Sequence, residues 1–188
     1  KLGLLVIAQV DPILMTVFEP TLAMISQDFS DFPEHRQAFF SLLRAINKRC
    51  FAALLSLPPT RFKLTIDSVM WAIKHTHRDI AETGLLILLE LLQNYEQHQD
   101  QSPFYRAFFV PIVQDMFVVL CDSDHRAGFK YHAAILAHLY RIVPLLSAPL
   151  ADGVTDNRQW VRDFTITLLT TAYGHLQRYH LVYVLYTI

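Results

Sequence analysis

Apolar residues return at helical spacing in stripe after stripe along this chain, and each stripe is followed across a short polar turn by another. Phe62, Ile66, Val69, Met70 and Ile73 form one stripe, and Ile80, Ile87, Leu88, Leu91 and Leu92 form the next, after the polar turn at 75–79. Tyr105, Phe108, Phe109, Ile112, Met116, Val119 and Leu120 make a third, answered by Ile135, Leu136, Leu139, Ile142, Val143 and Leu146 after Asp122-Ser123-Asp124. A helix with one apolar face must bury it, and the nearest cover is the helix that follows in sequence. The pattern therefore predicts antiparallel helix pairs. Only five glycines occur in 188 residues, too few for the many tight turns of a β-rich fold.

Helix starts are marked by proline, whose missing N–H costs nothing in a first turn: Asp11-Pro12, Asp31-Phe32-Pro33-Glu34, Pro58-Pro59-Thr60 and Ser102-Pro103. Three of these sites also carry a side chain able to cap. The pairs read as 11–29 with 34–57, 60–75 with 79–97, 103–121 with 125–146, and 158–173 with a partner from about 177. First helices then begin about 43 to 55 residues apart, close to the roughly 40–47-residue spacing of HEAT-type repeats. The expected fold is all-α, an α-α superhelix (HEAT-repeat solenoid) of about three and a half helix pairs, with approximate repeats 11–57, 60–97, 103–146 and 158–188. A four-helix bundle with an added domain shares this pattern. Pro20 and Pro111 fall inside predicted helices and are expected to kink them. The polar stretch Ser147–Asn157, with Pro149 and Gly153, is the expected exposed, protease-sensitive loop.

Composition narrows the function. Sixteen basic against seventeen acidic residues leave a net charge of -1, so nothing argues for broad nucleic-acid or anionic-membrane binding. Hydrophobic content is 53%, yet Glu19, Glu90 and Asp115 interrupt the apolar stretches, and the uncharged run Phe164–Gln177 falls short of the roughly 20 residues a spanning helix needs. The apolar start Leu2–Val10 shows no small-residue cleavage site and runs into Asp11-Pro12; it reads as a helix entered midway, the chain being expected to be a piece of something longer. Two cysteines, Cys50 and Cys121, form neither a disulfide framework nor a metal spacing and suit a reducing compartment.

Catalytic and cofactor signatures are absent. No phosphate-cradling glycine loop, H-E-x-x-H or C-x-x-C occurs, so no cofactor is expected. His75 and His77 stand two apart, which on a helix points them to different sides and argues against zinc. A Cys121 pair with His132 or His138 is the one nucleophile arrangement to weigh; the apolar run Val118-Val119-Leu120 before it instead predicts a buried, inert thiol, and the same holds for Cys50 beside Phe51. Trp71 and Trp160 fall within helices and are expected to anchor packing between them.

The remaining signal is charge on the second helix of each pair: Arg44, Lys48 and Arg49 on one, Arg126, Lys130 and Arg141 on another. One helix of every pair lines the inner side of a solenoid, so Arg44, Lys48, Arg126 and Lys130 are the candidate contacts to an acidic partner. A plain solvated face is the competing reading, since Glu82 and Glu90 on the intervening helix break the strip.

Particular strings go further than pattern. PEHR at 33–36, LPPTRFKL at 57–64, DSVMWAIKHT at 67–76, TGL at 83–85 and LLQN at 91–94 carry a resemblance to the exportin members of the karyopherin-β (importin-β) family, in their C-terminal HEAT-repeat region. The similarity continues more loosely through Phe104–Tyr105, His132–Ala137 and Ala172–Gln177. It implies a nuclear export receptor: Ran-GTP-dependent binding of proteins with leucine-rich export signals, contacts to nucleoporins, and shuttling between nucleus and cytoplasm through the pore. It implies no direct nucleic acid, no membrane and no catalysis. It also places the signal-binding groove, with its reactive cysteine, upstream of these residues, so Cys50 and Cys121 do not inherit that role. Another karyopherin or a HEAT scaffold with different cargo is the alternative, and a helical enzyme domain the third; the last would need polar side chains converging on irregular backbone, which the sequence does not offer.

Overall fold

A computed structural model describes residues 2–25, 31–97, 101–122, 128–179 and 181. They form eight α-helices and no strand: α1 Leu2–Ile25, α2 Pro33–Arg49, α3 Phe51–Leu55, α4 Pro59–Ile73, α5 Arg78–Glu96, α6 Ser102–Cys121, α7 Phe129–Ile142 and α8 Asn157–Ala172, with a 3-10 turn at Val143–Leu145. The fold is an all-α helical-repeat solenoid. It divides into two compact units, Lys1–Gln97 with Asp115–Ile135, and His98–Gln114 with Leu136–Ile188.

In the first unit α2 packs on α1 and α3, α4 on α5, and α2 on α5. The stripes named from sequence supply the core: Ile66, Val69 and Ile73 of α4 and Ile80, Ile87, Leu88, Leu91 and Leu92 of α5 are all buried. At Gly84 the two helices meet with no room for a side chain. Asn94 of α5 bonds Asn47 of α2, and Glu90 bonds Arg44, at sequence offsets of 47 and 46 residues. Both numbers rise together, so α2 and α5 run parallel, and the offset falls at the upper end of the roughly 40–47-residue HEAT period. That is the relation expected of equivalent helices in successive repeats.

Several expected boundaries shift. Pro12 does not open a helix but lies with Pro20 inside α1, and α6 likewise continues through Pro111. Residues 26–29, expected to finish the first helix, lie outside the described residues. The second expected helix, 34–57, is broken at Cys50, whose φ of -133° and ψ of 37° are not helical. The break sets Phe51 edge-on to Tyr95 of α5 at 5.3 Å. The N-terminus of α2 is not capped by Asp31: Phe32, at φ 53°, holds the cap position in left-handed backbone, and Pro33 follows as the first helical residue. Arg36 closes this corner. Its buried guanidinium donates to the carbonyls of Ile25 and Asp31, at 2.9 and 2.7 Å, and lies 5.8 Å from the Trp71 ring centre. A cation at the last carbonyl of α1 also meets the negative end of that helix.

The second unit is built on aromatic rings. Phe109 of α6 sits 6.1 Å from Trp160 and 5.8 Å from Phe164, which stack on each other at 5.5 Å and 4°. Trp160 is thus the anchor expected of it. Tyr140 donates to or accepts from Thr165 at 2.9 Å, and burial raises its phenol above the ordinary tyrosine pKa. α8 packs on the 3-10 turn and starts at a true side-chain cap, Asp156, which accepts from the Arg158 and Gln159 N–H groups at 2.8 and 3.2 Å.

The segment between the 3-10 turn and α8 is the expected loop, with Asp152 and Gly153 exposed, but its base is tied down. Asn157 accepts from the Leu150 N–H at 3.0 Å and donates to the carbonyls of Leu146 and Ala148 at 2.9 Å each. Leu150 is buried, and Arg106 pairs with Asp152.

Candidate partner-binding face

The candidate contacts lie on α2 and α7. Arg44 is half-buried and makes a two-pronged bond to Glu90 of α5, Nε to Oε2 at 3.1 Å and a terminal nitrogen to Oε1 at 2.7 Å. The Glu90 hydrogen bond raises the Arg44 pKa above its ordinary value, against a smaller opposing effect of burial. Its charge is therefore matched inside the fold. Lys48 and Arg49, in the last turn of α2, are exposed. Lys130 is exposed at the start of α7 with its ammonium 4.7 Å from the Tyr131 ring centre, a cation–π contact that leaves the charge at the surface. Arg126 lies outside the described residues. Arg141 is exposed, one terminal nitrogen 3.5 Å from His138 Nδ1.

Sequence reasoning treated Glu90 as a break in a basic strip. Glu90 is the partner of Arg44, and Glu82 that of Arg78, so each of these carboxylates matches a cation beside it. Two residues it did not single out organise the same face: Asn47 is fully buried and donates from Nδ2 to the Ile87 carbonyl at 3.2 Å, while its own carbonyl accepts from Asn94 Nδ2 at 2.9 Å. A polar residue at one helix position matched by another 46 or 47 residues on was the available signal.

The thiol expectation needs correcting. Cys121 is exposed at the end of α6, and Cys50 is half-buried. His138 is buried, with Nε2 3.2 Å from the Tyr105 hydroxyl. His75, also buried, accepts from the His77 N–H at Nδ1 over 2.8 Å, so this ring serves the α4–α5 turn as a neutral acceptor. Among the described residues no three His, Cys, Asp or Glu side chains are grouped to hold a metal.

α6 differs from its sequence reading in another respect. By length and composition it could cross a membrane, with a mean hydropathy of 1.6 over its most apolar window, and Asp115 does not disqualify it. Here Asp115 pairs with Lys74 of α4 at 2.7 Å, and Tyr105, Phe109, Ile112, Val113 and Met116 are buried.

These features define an all-helical repeat protein in which polar side chains join the parallel helices α2 and α5. The chain belongs to the family described as CRM1 C terminal, which it matches over residues 1–186. It is 46% identical to Exportin-1 of Schizosaccharomyces pombe over 174 residues, 45% identical to Protein EXPORTIN 1A of Arabidopsis thaliana over 172, and 42% identical to Exportin-1 of Drosophila melanogaster over 170. These alignments cover 88%, 87% and 89% of this chain and 16% of each relative. The chain thus spans about a sixth of the length of these relatives.

Proposed function

We propose that this chain is the C-terminal repeat segment of a nuclear export receptor, acting by binding and not by catalysis. The observation that carries this reading is the family match across residues 1–186, together with identities of 42 to 46% to exportins from a yeast, a plant and an insect. In this reading the repeats 11–57, 60–97, 103–146 and 158–188 extend a longer solenoid that binds Ran-GTP and proteins bearing leucine-rich export signals cooperatively, meets nucleoporins, and shuttles between nucleus and cytoplasm. The signal-binding groove lies outside this segment, which contributes to the coupling between ligands. Each repeat touches mainly its neighbours, so small rotations at successive joints add up to a large change of curvature. Two ligands that favour one curvature then assist each other through linkage. Lys48 and Lys130, with Arg126 and the partly neutralised Arg44, are the proposed cationic contacts to an acidic partner surface.

The test exchanges this chain for the corresponding segment of the fission-yeast Exportin-1 and measures a labelled leucine-rich export peptide by fluorescence anisotropy. Tighter peptide binding with Ran-GTP than with Ran-GDP in the chimera, lost when the segment is deleted, is the expected result. A folded chimera that binds no peptide in either nucleotide state would overturn the reading and leave a repeat scaffold with another cargo.

A further inference from the structure

We infer that the seam between α2 and α5 is a register lock, a joint that holds the first two helix pairs as one rigid piece while the solenoid bends elsewhere. Apolar packing alone would not do this: a helix surface repeats about every 5.4 Å, so a slide by one turn exchanges one set of apolar contacts for a similar one. Directional bonds remove that degeneracy. Along this seam the Arg44 guanidinium meets the Glu90 carboxylate at two points, Asn47 Nδ2 reaches the Ile87 carbonyl, and Asn94 Nδ2 reaches the Asn47 carbonyl.

Asn47 decides the matter. It is fully buried, and its Oδ1 has no hydrogen-bond partner in the structure, so the amide is held at a cost that an apolar residue would avoid. What the amide supplies is direction, the role a single buried asparagine plays in fixing the register of a coiled coil. A one-turn slide would strip Asn47 of its carbonyl acceptor and part Arg44 from Glu90. The four bonds are spread over one turn of α2, Arg44 to Asn47, and two turns of α5, Ile87 to Asn94, which resists rotation as well as sliding. Movement at this joint therefore carries a polar penalty.

The experiment places spin labels at exposed Ala45 of α2 and Gln93 of α5 in the full chain, with Cys50 and Cys121 changed to serine, and reads the distance distribution by pulsed dipolar spectroscopy. A second label pair, Val17 of α1 with Ala38 of α2, reports the packing within the first helix pair, away from the α2–α5 bonds. The parent is expected to give one narrow α2–α5 distance. The double variant Asn47→Leu, Asn94→Leu is expected to broaden it or shift part of it by about 5 Å, one helical turn, with the α1–α2 pair unchanged. Should that variant fail to fold, Arg44→Glu is expected to broaden the distribution and Arg44→Glu with Glu90→Arg to narrow it again. A parent distribution as broad as that of the variants, or variants as narrow as the parent, would overturn the lock.

Discussion

Gly84 and Ala72 bring the backbones of α5 and α4 so close that a methyl group on Gly84 would lie 3.0 Å from the Ala72 Cβ and 2.9 Å from the Ile73 nitrogen. The second contact is to backbone, so the helices themselves would have to separate. Gly84→Ala gains about 1 kcal/mol of helix propensity and incurs about 1–3 kcal/mol of overpacking. A net loss of up to about 2 kcal/mol follows, visible as a lower thermal midpoint by circular dichroism. Gly174→Ala, where nothing lies within 4 Å, is the control and should leave the midpoint in place. A stabilised Gly84→Ala variant would show that α4 and α5 are not in close contact.

Trp71 is half-buried, and its ring is a shared platform: Phe40 stacks at 6.1 Å and 17°, His75 meets it edge-on at 5.2 Å, and Arg36 lies against it. Full burial would put Trp71→Ala at about 3–5 kcal/mol; the partial exposure lowers the expectation to about 2–3 kcal/mol. Urea unfolding followed at 222 nm checks it, with Trp71→Phe expected to retain most of the stability that Trp71→Ala loses. A change below about 1 kcal/mol would remove Trp71 from the packing of this corner.

Asn157 holds the loop before α8 with three hydrogen bonds, so the loop should be cut slowly until that tie is gone. Asn157→Ala leaves the Leu150 N–H and two carbonyls without this partner, and local opening becomes easier by about 1–3 kcal/mol. Limited proteolysis should then nick within 147–156 about five- to 150-fold faster, the factors that correspond to about 1–3 kcal/mol. Equal nicking rates in the two proteins would show that Leu150 and Arg106 hold the loop unaided.

Tyr95, wedged between Phe51 and Phe62, has its phenol pushed up to about 12 by burial. The unfolded chain releases this proton near pH 10. Between pH 10 and 12 the folded state keeps a proton that the unfolded state has lost, so its stabilising contribution is complete below about pH 10 and disappears as pH approaches 12. Absorbance at 295 nm should show a late-titrating tyrosine signal that shrinks by one residue in Tyr95→Phe, whose stability should fall less steeply over the same range. A Tyr95 that titrates with the exposed tyrosines would place it at the surface.

The central helix pair was legible because its signals are local. Proline at the start of α4, the polar turn at 75–79 and two apolar stripes predict 60–75 and 79–97, against Pro59–Ile73 and Arg78–Glu96 in the structure. Cys50 breaks α2 without a proline or glycine to announce it, and Asp156 caps α8 from a position that periodicity does not reach. The Cys121 error has a simple cause. An apolar run says nothing about helical phase, and Cys121 sits three residues after Val118, on the same outward face, while Val119 between them is buried. The face chosen from charge was legible only in part: a cation can be read from sequence, but the carboxylate that matches Arg44 lies 46 residues away.

Because the residues that join α2 to α5 are separated by only 46 or 47 positions, this seam needs none of the chain beyond Glu96 in order to form. Nascent domains assemble from the N-terminal side as synthesis proceeds. The α2–α5 joint can therefore be in place while the later helices are still being translated, so that each new pair is added to a finished edge and the order of synthesis becomes the order of assembly.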